Sequence, residues 1–324
     1  MKWKVKKYKV RLALIAKYFK RKSNGRKKHV KRLQLRKNKI QVLLPQIFSI
    51  TKNRDKTLKC LNQLRDIANH KKDGIRVNAS KVRFVDPAAL MYLLFILREA
   101  RENKIAIRGN YPKDIEAKKS FIRYGFSNYV VNNKSIYNKY CKDEDILQII
   151  VDSMVSPEKA GKIIKFSEQA ISEHPKIIKE LYASLIEMMG NVCQHAYSNK
   201  HGSWYFSCEK GESNLTYTFF DTGFGIPNTV QKSLLEKVTW LPIKRESEIL
   251  RSVLNGDFRT QTKEKNRGKG LPQIYNFLSS DKIIEATLMS SKGCCKINNC
   301  GIIIDNDLEH KLYGTLFIWK IRRT

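Results

Sequence analysis

Glu187-Met-Met-Gly-Asn191-Val-Cys-Gln-His195-Ala196 decides how the second half of this chain is read. Glu187, Asn191 and His195 recur every fourth residue, so one helix presents all three on nearly the same face. A carboxylate and a carboxamide one turn apart can share a magnesium-bound triphosphate, because Mg²⁺ takes oxygen ligands and keeps waters and phosphates in its shell. Downstream, Leu215 to Phe220 is β-branched and aromatic and reads as a strand ended by Asp221. Asp221-Thr-Gly223-Phe-Gly225-Ile226-Pro227 follows, and then Arg267-Gly268-Lys269-Gly270-Leu271. The glycines permit tight turns and close backbone approach. Each motif alone is an ordinary turn or a solvated helix face; their order and spacing give them joint meaning.

In that order the three motifs resemble the nucleotide site of the GHKL ATPase superfamily, which includes gyrase B, MutL and the kinase domain of bacterial histidine kinases. The resemblance implies an α/β sandwich of the Bergerat type with a largely antiparallel sheet, and ATP and Mg²⁺ as cofactors. It implies Glu187 as the general base that orients or deprotonates the attacking water, and Asn191 as the Mg²⁺ ligand. His195 is either helix-end packing or a phosphate neighbour. Asp221 is implied as acceptor for the adenine amino group, with Gly223, Gly225 and Ile226 beside the base. Gly268, Lys269, Gly270 and Leu271 are implied near the phosphates, where free N–H groups at a helix start attract anions. Gly314-Thr315, just before Leu-Phe-Ile-Trp, resembles the threonine that completes the adenine pocket. Residues 228–266 occupy the position of the family's ATP lid and carry eight Lys or Arg against five acidic residues.

Within the superfamily, the resemblance is to the serine-kinase anti-sigma factors, whose helix also runs glutamate, asparagine, histidine at four-residue steps. A sensor histidine kinase is not expected, because His174 lies thirteen residues before Glu187 and precedes Pro175. Gyrase- and MutL-type enzymes carry a transducer domain, and only about fifty residues follow Leu271.

In the first half, Ile75-Arg-Val-Asn-Ala and Val82-Arg-Phe-Val85 read as strands, Ala88 to Arg101 as a densely apolar helix, and Ile105-Ala-Ile-Arg as a returning strand. Asp86-Pro87 fits a helix start, with Asp as cap and Pro in the first turn. The pattern is similar to the STAS domain of anti-anti-sigma factors, in which aspartate, two small residues, glycine and leucine lead into a helix. Here the run is Asp86-Pro87-Ala88-Ala89-Leu90. Ala88 stands where signalling members carry a phosphorylated serine, so no phosphorylation is expected there.

The chain has 63 Lys or Arg against 30 Asp or Glu, a formal net charge of +33. Residues 1–54 hold twenty of these basic residues and no acidic one, which favours an anionic partner such as nucleic acid or another polyanion. Trp3, Tyr8, Tyr18 and Phe19 among the lysines would permit base stacking. Seven cysteines, an odd number, make no disulfide framework, and Cys294, Cys295 and Cys300 lack the second pair of a zinc site. No apolar run is long enough to span a membrane, and a cytoplasmic location is expected.

The expected fold is α/β: a basic extension over 1–41, a STAS-like domain over 42–131, a linker over 132–155 and a GHKL ATP-binding domain over 156–324. The expected function is a Mg-ATP-binding regulatory switch that hydrolyses ATP and acts on a protein partner, with homodimerisation left open. Two alternatives stand beside it: a serine/threonine protein kinase of the anti-sigma-factor type, and a nucleic-acid-binding protein with a regulatory ATP domain.

Overall fold

A computed structural model describes residues 40–70, 74–126, 130, 145–171, 175–195, 202–235, 245–257 and 270–323. Most of the basic extension, most of the expected linker, part of the expected lid, and Gly268 and Lys269 therefore lie outside the described residues.

Among the described residues the chain is a mixed α/β fold with three sheets and no closed barrel. The first half gives β1 (Ile40–Leu43), β2 (Ile47–Phe48), α1 (Arg54–His70), β3 (Ile75–Asn78), β4 (Phe84–Val85), α2 (Pro87–Glu102), β5 (Ile107–Asn110) and α3 (Ile115–Arg123). β1, β3 and β5 form a parallel sheet in that order, and β2 pairs with β4. Right-handed crossovers in a sequential parallel sheet place α1 and α2 on the same face. Val42, Ile75, Val77 and Ile107 are buried toward those helices.

The start of α2 is where Asp86-Pro87 places it. Asp86 Oδ1 accepts the Ala89 N–H at 2.8 Å, and Pro87 fills the first turn. Its other oxygen accepts from the Ser49 and Thr51 hydroxyls and the Thr51 N–H. The helix ends on Lys104, which adopts φ 58°, and the Ile105 N–H reaches back to the Ala100 carbonyl at 2.9 Å. Ile105 is thereby used to close the helix. The returning strand, expected from Ile105, begins instead at Ile107.

The second half gives β6 (Ile146–Asp152), α4 (Pro157–Ile171), α5 (Pro175–His195), β7 (Trp204–Lys210), β8 (Asn214–Asp221), α6 (Ile226–Leu235), α7 (Glu246–Asn255), α8 (Gly270–Leu278), β9 (Ile283–Asn298) and β10 (Gly301–Arg322). Five antiparallel strands form a sheet in the order β6-β7-β8-β10-β9. Two departures from the sequence reading stand out. Residues 146–152, placed in the linker, form an edge strand, because their apolar side chains pair along β7. Gly301–Ile304 and Gly314–Ile321, read as two strands, are parts of one 22-residue strand whose register slips between Asp307 and Thr315. Those irregularities bend the strand and hide its continuity behind polar residues.

Both faces of this sheet are covered. On one side Trp204, Phe206, Tyr217, Phe219, Phe317 and Trp319 pack under helices α4, α5 and α8. On the other, Tyr205, Phe220, Met289, Leu316 and Ile318 belong to the same core as the first half. Tyr92 and Phe95 of α2 bring their rings 5.2 and 5.9 Å from Phe220, and Phe95 lies 6.2 Å from Tyr205. A helix apolar all round is a buried helix, and α2 is wedged between two sheets.

Candidate functional site

On α5, Leu181, Leu185, Met188, Met189 and Val192 are buried against the sheet, an i, i+3/i+4 stripe. Glu187 and Asn191 lie off that stripe and are half-buried. The first turn of α8 meets them there. A Cβ placed on Gly270 would lie 2.5 Å from Glu187 Oε2 and 3.6 Å from Asn191 Oδ1. The backbone of the third motif thus approaches the carboxylate and carboxamide of the first so closely that a side chain at 270 would require the Glu187 carboxylate to shift.

The second motif forms its own cluster at the end of the sheet. Asp221 lies in register between Trp204 of β7 and Thr315 of β10. Side chains alternate along strands. Leu215, Tyr217 and Phe219 face the helical layer, so Asp221 does too. Phe317 and Trp319 place Thr315 on the same face, and Leu288 places Ser290 there. Asp221 Oδ1 accepts the Gly223 N–H at 2.7 Å. Burial pushes the Asp221 carboxyl up to about 6, while hydrogen bonds from Gly223 and Thr315 pull against that rise.

Ser290 holds this corner together. Its hydroxyl accepts the Ile226 N–H at 2.8 Å, lies 3.0 Å from Thr315 Oγ1 and reaches the Gly314 carbonyl at 3.3 Å. Gly225 adopts φ 85°, and a Cβ there would sit 3.1 Å from Ser290 Oγ. Gly314 adopts φ 115°, and a Cβ there would run into the Asp221 main chain. Both positions need glycine for conformation and for space. Sequence reading missed Ser290; its only signal was a polar pair, Ser290-Ser291, interrupting an apolar strand.

Among the residues expected at the site, Glu187, Asn191 and Gly270 are brought together, as are Asp221, Gly223, Gly225, Ile226 and Thr315. Ile226 and Leu271 both pack on the core of the helical layer, which the two groups share. His195 is the last residue of α5, and its side chain lies outside the described residues, as do Gly268 and Lys269.

No group of three or more His, Cys, Asp or Glu able to hold a metal is present among the described residues. A Mg²⁺ carried on a triphosphate needs no such cage, since it takes most of its oxygens from phosphate and water. One carboxamide oxygen beside a carboxylate, with a side-chain-free backbone facing both, fits that requirement. No family model matches the chain, and no curated protein matches it.

Proposed function

We propose that this protein binds Mg-ATP between α5, the start of α8 and the ends of β8 and β10, as a member of the GHKL superfamily, and uses it as a regulatory switch. The observation that carries this reading is the approach of Gly270 to Glu187 and Asn191, on the sheet face that also bears Asp221 and Thr315. Asp221, acting as acceptor, selects the adenine amino group. Asn191 supplies a side-chain oxygen to the magnesium ion, which neutralises phosphate charge when bound. Glu187 orients the water for attack on the terminal phosphate.

Coupling to the first half, read as STAS-like, follows from β10. Two residues before Thr315, the Tyr313 N–H donates to the Tyr92 hydroxyl at 3.1 Å. The Lys311 carbonyl accepts from Asn62 at 2.9 Å, and Arg65 stacks 3.8 Å over the Tyr313 ring. A shift of Gly314-Thr315 on nucleotide binding would be felt directly by α1 and α2.

The test is a single turnover of γ-labelled ATP with Mg²⁺ by wild type and Glu187→Ala. Phosphate release by wild type, lost at least a hundredfold in the variant while ATP still binds, is expected. Failure of both proteins to bind ATP would sink the proposal. Transfer of label to a second protein in place of water would favour the kinase reading.

A further inference from the structure

Parallel sheets are normally covered on both faces. Among the described residues, the β1-β3-β5 sheet is covered on one face only, by α1 and α2, and Gln41, Leu43, Arg76, Arg108 and Asn110 are exposed on the other. Strand register arranges this face in two rows. Gln41, Arg76 and Arg108 lie side by side, followed by Leu43, Asn78 and Asn110. Arg76 and Arg108 are direct cross-strand neighbours on strands about 4.8 Å apart. Like charges placed opposite one another on a sheet are destabilising. Neither arginine makes an ion pair with an acidic group among the described residues. Asn78 and Asn110 are held rigidly, with Asn110 Nδ2 donating to Asn78 Oδ1 at 3.0 Å and Asn110 Oδ1 accepting the Ala79 N–H at 2.7 Å.

We propose that this open face binds the phosphate backbone of a nucleic acid. Two adjacent guanidinium groups without counter-charge suit phosphate, which each can engage through paired N–H donors, and the amides of Gln41 and the asparagines add polar contacts to sugar and base edges. The loops leaving the same end of β3 and β5 carry Lys81 and Lys113, both exposed and joined through the Lys113 N–H to the Ser80 carbonyl at 3.4 Å. Residues 1–39, which hold eighteen Lys or Arg and no acidic residue, directly precede β1, so charge is continuous in sequence with the face. A bilayer is the poorer fit, because an interfacial surface needs large apolar side chains and, among the described residues, these two rows offer only Leu43. A protein partner is also poorer, since these rows carry no Tyr, Trp or Phe of the kind that anchors the centre of a protein interface. The surface is separate from the proposed ATP site and is tested without nucleotide.

The experiment measures binding of the full chain to a fluorescein-labelled 20-nucleotide single-stranded RNA and to a duplex DNA of equal length, over a salt series. Three proteins are compared: wild type, Arg76→Gln/Arg108→Gln, and Lys165→Gln/Lys179→Gln, which removes equal charge from exposed positions on α4 and α5. Losing two phosphate contacts should flatten the single-strand salt slope by roughly 1.4 and weaken affinity about fivefold, with the helix variant unchanged. The two oligonucleotides distinguish single-stranded from duplex targets. The proposal is overturned if the arginine variant binds like wild type, if both variants lose equally, or if wild type ignores both oligonucleotides while binding phosphatidylserine vesicles.

Discussion

Asp221 carries opposing demands in a single carboxyl group. Burial raises it from an ordinary value near 3.8 to about 6, while Gly223 and Thr315 donate toward its charged form. A carboxyl raised on folding binds its proton more tightly in the folded chain, so the contribution of Asp221 to stability is fully present below pH 4 and is lost as pH rises through about 6. The contribution is on the order of 3 kcal/mol. Asp221→Asn keeps the shape and removes the titration, so the stability difference between wild type and variant should change between pH 4 and 6 and level off above 7, as read by denaturant melts. Gly223 already occupies Oδ1 and Thr315 also donates to this carboxyl, so protonation of Asp221 removes acceptor capacity that a ligand amino group would need. ATP affinity of wild type should therefore fall below pH 6, and that of the variant should be at least tenfold weaker at pH 7.5. Isothermal titration across this range checks both, and a pH-independent wild-type affinity would remove Asp221 from the pocket.

At the scale of elements, α7 lies in the segment read as an ATP lid and is fastened in place. The residue before it, Arg245, caps nothing. Asp307 of β10 supplies the cap instead, accepting the Ser247 N–H at 2.8 Å and the Glu246 N–H at 3.4 Å. Glu246 in turn accepts the Lys292 N–H, and Arg251 pairs with Asp305 at 2.7 Å. Ile249, Leu250, Val253 and Leu254 are buried. A helix held through its first turn and its apolar face does not swing as a lid. Asp307→Ala should cost about 1 kcal/mol, the usual worth of an N-cap, measurable by urea melts. Unchanged stability would show that Glu246 and Arg251 hold the helix without the cap.

At the scale of the molecule, the two halves share a core. Phe95 of α2 is 6 % exposed and touches rings of β7 and β8. Replacing it by Ala should cost about 3–5 kcal/mol. Because Trp204 and Trp319 are buried in the five-stranded sheet, the loss should lower the midpoint of the tryptophan-monitored transition together with that seen by far-ultraviolet circular dichroism. A tryptophan midpoint that stays at the wild-type value would mean that the halves unfold independently. A shared core also gives the proposed switch its mechanical basis, since β10 lines both the candidate site and the contact with α1 and α2.

What the sequence determined by itself was local. The four-residue spacing of Glu187 and Asn191 places them on one helix face because the helix repeat is a property of the backbone. Asp86-Pro87 starts α2 because the cap bonds three residues on. Asp221 ends β8 where the β-branched and aromatic run stops. Tertiary structure decided everything that joins residues far apart. It set Gly270 against Glu187, placed Ser290 between Ile226 and Thr315, and merged two apparent strands into β10. It also put α2 between two sheets and left Arg76 and Arg108 side by side. Periodicity and capping act over a few residues and can be read along the chain. Register and face-to-face packing are fixed by which apolar surfaces exclude water together, and that choice is made only when the whole chain is folded.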